Sequence, residues 1–157
     1  MTKPSDELLK RAYAQDASIY QETPQDVAFP ASAEEVVALV RSGKPLIPRA
    51  AGTSLAGQVV GDGTILDTGR HMNAILQINV EERWTEVQPG VVRDELNYHL
   101  KEYGLFFGPN TSTSNRCMMG GMVGNNSSGS TSISYGTTRE KLLGLELVTA
   151  DGVLRAM

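Results

Sequence analysis

The first residues of the chain alternate between short polar and apolar groups. Residues 5–14 (SDELLKRAYA) predict a short helix with Ser5 as its N-cap. Residues 26–30 (DVAFP) predict a brief strand that Pro30 ends, because proline cannot donate to a strand ladder. The pattern therefore indicates a helix followed by a strand.

The next apolar positions change to helical spacing. Ser32 and Glu35 have the spacing of a capping box, and three valines then recur at helical intervals until Gly43. Residues 45–49 (PLIPR) predict a short buried strand. The chain thus opens with a strand-helix-strand unit.

The second half of the chain has mainly strand-like spacing. One helix interrupts it at residues 94–103, with Leu96, Leu100 and Tyr103 on one face and Gly104 as its end. The chain closes with a hairpin, in which Asp151 and Gly152 predict a type I′ turn. The predicted strands are residues 63–69 (GTILDTG), 74–80 (AILQINV), 84–90 (WTEVQPG) and both arms of 142–156 (LLGLELVTADGVLRA).

Together these elements predict an α+β fold in which a small strand-helix-strand subdomain precedes a mainly antiparallel sheet with flanking helices. The chain has 157 residues, which is the size of one domain. There is no internal repeat and no linker. We expect an N-terminal helical extension over residues 1–15 and the main domain over residues 16–157.

Composition and charge exclude several classes of function. The net charge of −4 and the absence of a Lys/Arg run argue against nucleic acid. No apolar run is long enough to cross a bilayer, and the N-terminus has no secretory signal pattern. One cysteine excludes an internal disulfide framework and is typical of a reducing compartment. A cytoplasmic protein is expected.

A loop of small residues, PRAAGTSLAGQ at positions 48–58, lies between two predicted strands. Small residues let a backbone turn tightly and let a ligand approach its N–H groups, and consecutive N–H groups form an anion-binding concavity. Because a strand rather than a helix follows, and neither GxGxxG nor a P-loop is present, an anion would bind to backbone amides. The alternative is a flexible surface turn.

A second stretch, residues 111–138 (TSTSNRCMMGGMVGNNSSGSTSISYGTT), contains one charged residue, Arg116. Loops of this length in a compact domain are usually functional or disordered. This one has little charge and proline and several apolar side chains, which favours an ordered surface against a flat polar ligand. A Ser/Gly linker is the alternative.

Together the two stretches resemble the FAD-binding domain of the vanillyl-alcohol oxidase/p-cresol methylhydroxylase flavoproteins. Within it the chain is most similar to the FAD-linked D-2-hydroxyacid dehydrogenases, which include the glycolate oxidase FAD subunit, D-lactate dehydrogenases and D-2-hydroxyglutarate dehydrogenases. The large members that also carry an iron–sulfur domain are nearest. The similarity covers the chain from about residue 16 onward. It rests on four stretches: RAAGTS, RHMNAILQIN, VQPGV and STSNRCMMGGM.

The resemblance implies which residues contact FAD. The first loop matches the family's pyrophosphate loop, although the family more often has glycine at Ala50 and Ala51. Residues 109–111 match the segment beside the isoalloxazine ring, where many relatives have aspartate at Asn110. Residues 117–121 and 126–129 match the elements that follow. The implied residues are Arg49, Ala50, Ala51, Gly52, Thr53, Ser54, Gly57, Gln58, Pro109, Asn110, Thr111, Cys117, Gly120, Gly121, Asn126, Ser127 and Gly129.

The resemblance also implies an enzymatic activity, and it implies which parts of the enzyme lie outside this chain. It implies oxidation of a 2-hydroxyacid by hydride transfer to flavin N5, with FAD non-covalent because Thr53 stands where some relatives attach flavin through histidine. In the family a separate cap domain binds the substrate and supplies the base, so we expect the chain to be part of a larger enzyme. On its own we expect it to bind FAD weakly or not at all and to be inactive. Any iron–sulfur cluster would belong to the rest of that enzyme.

Two other functions remain open at this point. One is another reaction on the same fold, such as that of UDP-N-acetylenolpyruvoylglucosamine reductase, against which the STSNRCMMGG segment argues. The other is a binding module without flavin. The sequence does not choose among glycolate, D-lactate and D-2-hydroxyglutarate, nor does it identify the electron acceptor.

The remaining candidate side chains have simpler roles. His71 and His99 have no metal-ligand spacing, and we expect His99 to be solvated and His71 to be structural. Asp67 ends a strand and is a candidate to hold a loop. Arg116 can reach a phosphate or a substrate carboxylate, or pair with a local carboxylate or a backbone carbonyl. Cys117 is expected to be a small buried residue and not a nucleophile.

Overall fold

The computed structural model describes residues 6–157. Helix α1 spans Asp6–Tyr13, as the sequence predicts, while its expected N-cap Ser5 lies outside the described residues. Acidic residues occupy its first turn and basic residues its last, which complements the helix dipole. Ala14, which follows α1, is completely buried, so the end of this helix is fixed against the domain.

A parallel sheet contains the first three strands: β1 (Asp26–Ala28), β2 (Leu46–Arg49) and β3 (Thr64–Asp67). Their spatial order is β1-β3-β2. Ile65 of β3 is in register with Val27 on one side and Ile47 on the other. All four residues of β3 are buried, whereas β2 is only partly buried, so the predicted burial of β2 is wrong. The reason is its edge position, which also tolerates Pro48.

Helix α2 (Ala33–Arg41) connects β1 to β2 and completes the predicted strand-helix-strand unit. The Ser32 side chain accepts a hydrogen bond from the Glu35 N–H at 3.3 Å, so the predicted cap is confirmed. The Glu35 carboxylate accepts from the Ala31 N–H instead of the Ser32 N–H. The helix therefore begins with one of the two bonds of a capping box and a close variant of the other.

The antiparallel ribbon of β4 (Ile75–Asn79) and β5 (Trp84–Val87) packs with helix α3 (Arg93–Leu100). Leu96 and Leu100 are buried as predicted. Tyr103 was predicted on the same face, but it is exposed. It lies in the 3₁₀ turn Lys101–Tyr103, beside an open groove. Gly104 ends the helix in a left-handed conformation. The core between these elements consists of Val91, Leu96, Leu100, Cys117, Met119 and Met122.

The predicted C-terminal hairpin is present as β6 (Glu146–Val148) and β7 (Leu154–Ala156), but its turn is not type I′. A type I′ turn requires a positive φ at both central residues, and here Gly152 has φ +70° while Asp151 does not. The Gly152 N–H donates to the Thr149 carbonyl at 2.8 Å. The connection is therefore a three-residue loop that ends in a left-handed glycine.

The long segment at residues 111–138 is ordered and contains two short helices that the sequence analysis did not predict, α4 (Met119–Gly124) and α5 (Ser132–Tyr135). Met119 and Met122 lie three residues apart and are both buried, so α4 forms because one of its faces enters the core. Within residues 6–157, no helix is long and apolar enough to cross a membrane.

Candidate functional site

The first small-residue loop leaves the carboxyl end of β2 and turns at two glycines. Gly52 has φ +64° and Gly57 has φ +70°, which are conformations that glycine adopts without strain. Ala50 and Ala51 do not have positive φ, so their methyl groups are compatible with the turn. Within the described chain, the N–H groups of residues 51–54 donate to no protein acceptor. The loop thus offers four consecutive free donors.

The distal half of the loop closes on itself. The Ser54 hydroxyl donates to the Gln58 side-chain oxygen at 2.7 Å and accepts from the Ala56 N–H at 3.2 Å. A Cβ placed on Gly57 would lie 2.6 Å from the Tyr20 ring, so this half faces the N-terminal segment. Ser54, Gly57 and Gln58 therefore shape the loop from the side away from the second small-residue segment.

The Arg49 side chain binds to the protein itself. Its guanidinium donates to the Tyr13 carbonyl at 3.3 Å and to the Gln15 carbonyl at 2.8 Å. It also lies over the Tyr13 ring, 5.2 Å from the centroid. The charge of Arg49 is thus used to hold the chain before the loop, and any contribution of Arg49 to an anion would come from its backbone.

The second small-residue segment is held against the chain before α3. The Arg93 N–H donates to the Cys117 carbonyl at 3.0 Å, and the Gly120 N–H donates to the Pro89 carbonyl at 2.8 Å. A Cβ on Gly120 would lie 2.6 Å from the Pro89 side chain. Only a glycine allows this approach, which places α4 directly beside the residues 87–91 segment.

The two small-residue segments meet at Gly121 and Ala50. A Cβ placed on Gly121 would lie 3.3 Å from the Cβ of Ala50. Gly121 is exposed, and its N–H has no acceptor within the described residues. Two segments seventy residues apart in sequence thus present small side chains and free amides on one shared surface.

The chain from residue 109 to residue 129 folds back on itself beside this surface. A Cβ on Gly129 would lie 1.5 Å from the Asn110 carbonyl oxygen, so these backbones are in direct contact. Pro109 is fully buried, and its carbonyl accepts from Arg93 Nε at 3.2 Å. The Asn110 side-chain oxygen is buried without a partner in the described chain. An unpaired buried acceptor is costly unless a ligand or water satisfies it.

The last predicted residues are held by the turn after α4. Asn126 has a left-handed backbone (φ +46°), and its side chain accepts from the Arg139 N–H at 3.0 Å. The Ser127 carbonyl accepts from the Thr138 hydroxyl at 2.7 Å, and Thr138 is buried. Asn126 and Ser127 therefore order this turn, which leads to Gly129.

Of the other candidate side chains, Cys117 is placed as expected, whereas Arg116 pairs with a side-chain amide instead of a carboxylate or a backbone carbonyl. Cys117 is buried as expected, with its sulfur 3.3 Å from the Thr111 hydroxyl and 3.5 Å from the Met122 sulfur. His71 and His99 are exposed, and the described residues contain no cluster suited to a metal ion. Arg116 is exposed and donates to the neighbouring Asn115 side chain.

Asp67 holds a turn, as its position at the end of a strand indicated. Its carboxylate accepts from the Gly69 N–H at 2.8 Å and from the Tyr13 hydroxyl at 2.5 Å. Burial raises the pKa of the Tyr13 phenol well above its usual value, and the hydrogen bond to the Asp67 carboxylate raises it further. The contact connects α1 to the central strand of the parallel sheet.

A Tyr13→Phe variant is expected to lose about 1.5 kcal/mol of unfolding free energy at neutral pH, because a hydrogen bond to a charged carboxylate is removed. The raised pKa means that this contribution is complete below about pH 10, where the unfolded tyrosine is still protonated, and is lost as the pH rises further. Urea unfolding at pH 7 to 11 measures it. A stability difference from the parent that grows at high pH would contradict the assignment.

Two side chains that build the site were not predicted from the sequence. The Arg93 guanidinium donates to the carbonyls of Pro109 and Phe107, at 3.2 and 3.1 Å. Tyr20 covers Gly57. Nothing in their local patterns distinguishes them from exposed polar residues, because their partners are remote in sequence.

Two surface grooves among the described residues lie away from the shared surface. One is between α2 and β7, next to Val37, Arg41 and Leu154. The other is between α3 and the β4–β5 ribbon, next to Ile75 and His99. Neither is lined by a predicted cofactor residue.

The fold, with its parallel strand-helix-strand unit and its two joined small-residue segments, is that of a flavin-nucleotide-binding domain. Residues 24–157 match the FAD binding domain family, and the chain belongs to that family. The antiparallel ribbons are consistent with the predicted α+β class.

Individual relatives of the chain are named for particular oxidoreductases. The chain is 46% identical over 155 residues to D-2-hydroxyglutarate dehydrogenase of Pseudomonas putida, covering 94% of this chain and 15% of the relative. It is 43% identical to D-2-hydroxyglutarate dehydrogenase of Escherichia coli, covering 87% and 14%. It is 34% identical to glycolate oxidase subunit GlcD of Bacillus subtilis, covering 89% and 31%. The relatives are thus 2-hydroxyacid oxidoreductases, as the resemblance indicated.

A solved structure of alkyldihydroxyacetonephosphate synthase has the same fold, with a TM-score of 0.84 and 23% identity over 98% of this chain and 34% of that one. This similarity concerns the fold alone. The chain spans about 15% of the length of the first dehydrogenases that it matches. The comparison with these relatives therefore concerns only one part of their length.

Proposed function

We propose that the chain binds FAD on the surface where the two small-residue segments meet. The observation that carries the proposal is the 3.3 Å approach of a Gly121 Cβ position to the Ala50 Cβ, since it joins two segments that each offer free backbone amides. In this proposal the N–H groups of residues 51–54 bind the pyrophosphate. Anions are bound well by such consecutive amides.

The remaining residues implied by the resemblance fit the flavin ring. Gly121, which is exposed, leaves room for a flat group against the backbone, while Gly120 allows α4 to approach Pro89. The unpaired Asn110 side-chain oxygen is an acceptor for a ring N–H. Thr53 cannot attach flavin as histidine does in some relatives, so binding is non-covalent. Cys117 supports the site from beneath, where it contacts Thr111.

We propose further that the enzyme to which this domain belongs oxidises a 2-hydroxyacid, with D-2-hydroxyglutarate as the first candidate. Four relatives with that name have 42–46% identity, and a fifth has 32%, which lies within the 32–35% of those named for glycolate or D-lactate. When bound, FAD supplies the redox chemistry by accepting a hydride from the substrate, and the protein supplies its placement. The buried free thiol of Cys117 is consistent with a cytoplasmic location.

The test is reconstitution with FAD of the whole enzyme to which this domain belongs, followed by a panel of substrates without an external electron acceptor. We expect the visible flavin spectrum to remain with the protein after desalting, and D-2-hydroxyglutarate to bleach it. Retained flavin that D-2-hydroxyglutarate, D-lactate and glycolate all fail to reduce would point to another reaction on this fold. A protein that retains no flavin would contradict the proposal itself.

A Gly121→Val variant is expected to raise the Kd for FAD about tenfold or more, because its branched side chain would stand on the proposed flavin surface, and binding would have to push it against Ala50 at a cost of about 1–3 kcal/mol. Titration of the apoprotein with FAD, followed by fluorescence, measures the effect. Gly124→Val is the matched control, since it lies in the same helix with no atom within 4 Å of the added Cβ. Equal affinities in the two variants would place the FAD elsewhere.

A further inference from the structure

The chain between α1 and β1 crosses the outer side of the first small-residue loop. We call residues 13–20 the strap. The strap precedes residue 24, where the match to the FAD binding domain family model begins. It nevertheless makes three separate contacts with the loop.

The first contact involves Arg49 and Gly52. The Arg49 guanidinium donates to the Tyr13 and Gln15 carbonyls of the strap and passes over Gly52. A Cβ placed on Gly52 would lie 2.5 Å from an Arg49 terminal nitrogen. The strap therefore determines where the guanidinium lies, and the guanidinium in turn covers the first left-handed glycine.

The other two contacts come from the strap directly. The Ala17 N–H donates to the Gly52 carbonyl at 3.1 Å. The Tyr20 ring lies against Gly57, within 2.6 Å of a Cβ position there. The strap thus touches both left-handed glycines, and it does so on the side of the loop that leaves the N–H groups of residues 51–54 free.

The strap has its own internal order. The Ser18 N–H donates to the Asp16 carboxylate at 2.8 Å, and the Tyr20 N–H donates to the Ser18 hydroxyl at 3.1 Å. Gln15 and Gln21 form an isolated antiparallel bridge. A segment held in this way can transmit a fixed position to the loop, whereas a flexible segment could not.

We propose that the strap is a positioning element of the FAD site that holds the loop in its binding conformation before the dinucleotide arrives. This inference rests on the proposed function. A loop of small residues has many accessible conformations, and ordering each residue costs conformational entropy. When that ordering is completed during folding, it no longer weakens binding. In this way the strap increases the affinity of the site for FAD without contacting FAD.

Two variants of the intact protein test the inference. Tyr20→Ala removes the ring from Gly57, and Ala17→Pro removes the N–H that donates to Gly52. The matched control is Ile19→Ala, because Ile19 belongs to the same strap and is 94% exposed. The measurements are the Kd for FAD, the visible spectrum of the bound flavin at saturation, and the melting temperature of the apoprotein.

We expect the Kd for FAD to rise about tenfold in each test variant, which corresponds to roughly one backbone residue that FAD must order again. The spectrum of the bound flavin at saturation should match the control, since the proposed contacts with the flavin ring lie on the second small-residue segment. The apoprotein melting temperature should match the control as well. An unchanged Kd in both variants would overturn the inference, as would a fall in melting temperature that accounts for the lost affinity. A parent protein that binds no FAD would instead refute the proposed function.

Discussion

A Gly129→Ala variant is expected to lose about 3 kcal/mol of unfolding free energy or more, and to bind FAD poorly. The added Cβ would lie 1.5 Å from the Asn110 carbonyl oxygen, so one of the two backbones must move. Because the obstacle is main chain and not the end of a flexible side chain, no rotamer change relieves it. The movement would displace residues 109–111, which the proposal places beside the flavin.

Urea unfolding of the apoprotein measures the stability, and titration with FAD measures the binding. Gly124→Ala serves as the control, since its Cβ would meet no atom within 4 Å and its φ is not positive. We expect that control to be neutral or to gain about 0.4–1 kcal/mol through the unfolded state. If Gly129→Ala were as stable as Gly124→Ala, the close contact of these backbones would be wrong.

A Leu96→Ala variant should lower the unfolding free energy by about 2–5 kcal/mol, because it leaves a cavity in the core between α3, α4 and the β4–β5 ribbon. Leu96 is 0% exposed and belongs to a cluster with Cys117, Met119 and Met122. The same cluster supports α4, on which Gly121 lies. We therefore expect weaker FAD binding as a secondary effect.

Tyr98→Ala tests whether this loss is specific to the buried face of α3. Tyr98 is 77% exposed, and its ring contacts the neighbouring His99 edge-on. Its replacement should change the stability by no more than about 0.5 kcal/mol. Denaturant midpoints of the two variants, measured side by side, give the comparison. Equal losses would mean that α3 does not pack on the core as described.

Local patterns predicted most of the elements correctly. The valine spacing and the Ser32 cap predicted α2, and alternating apolar positions predicted β4 and β5, because each of these signals lies within a few residues. The errors on β2 and α4 occurred because residues distant in sequence determine how these elements are buried and packed. The partial burial of β2 follows from its edge position, which depends on β3 entering between β1 and β2. Helix α4 contains three glycines in six residues and forms because Met119 and Met122 enter the core.

The candidate site was likewise predictable only where its signals are local in sequence. The small residues of both segments stand out in the sequence, and their likeness to a known family indicated the ligand. Their meeting at Ala50 and Gly121 is a property of the fold alone. The roles of Arg93, Tyr13 and Tyr20 were not predicted, since each acts on a carbonyl, a carboxylate or a glycine far away in the chain.

The free amides of residues 51–54 also affect how the site would respond to its solvent. Arg49, the one cationic side chain of the loop, is already committed to two carbonyls, so the diphosphate would meet partial charges of main-chain dipoles. Main-chain dipoles carry no net charge, so salt screens their interaction with the diphosphate less than it screens that of a lysine cluster. Nucleotide retention should therefore hardly change with ionic strength, and polyanions such as RNA would find little long-range attraction to this surface.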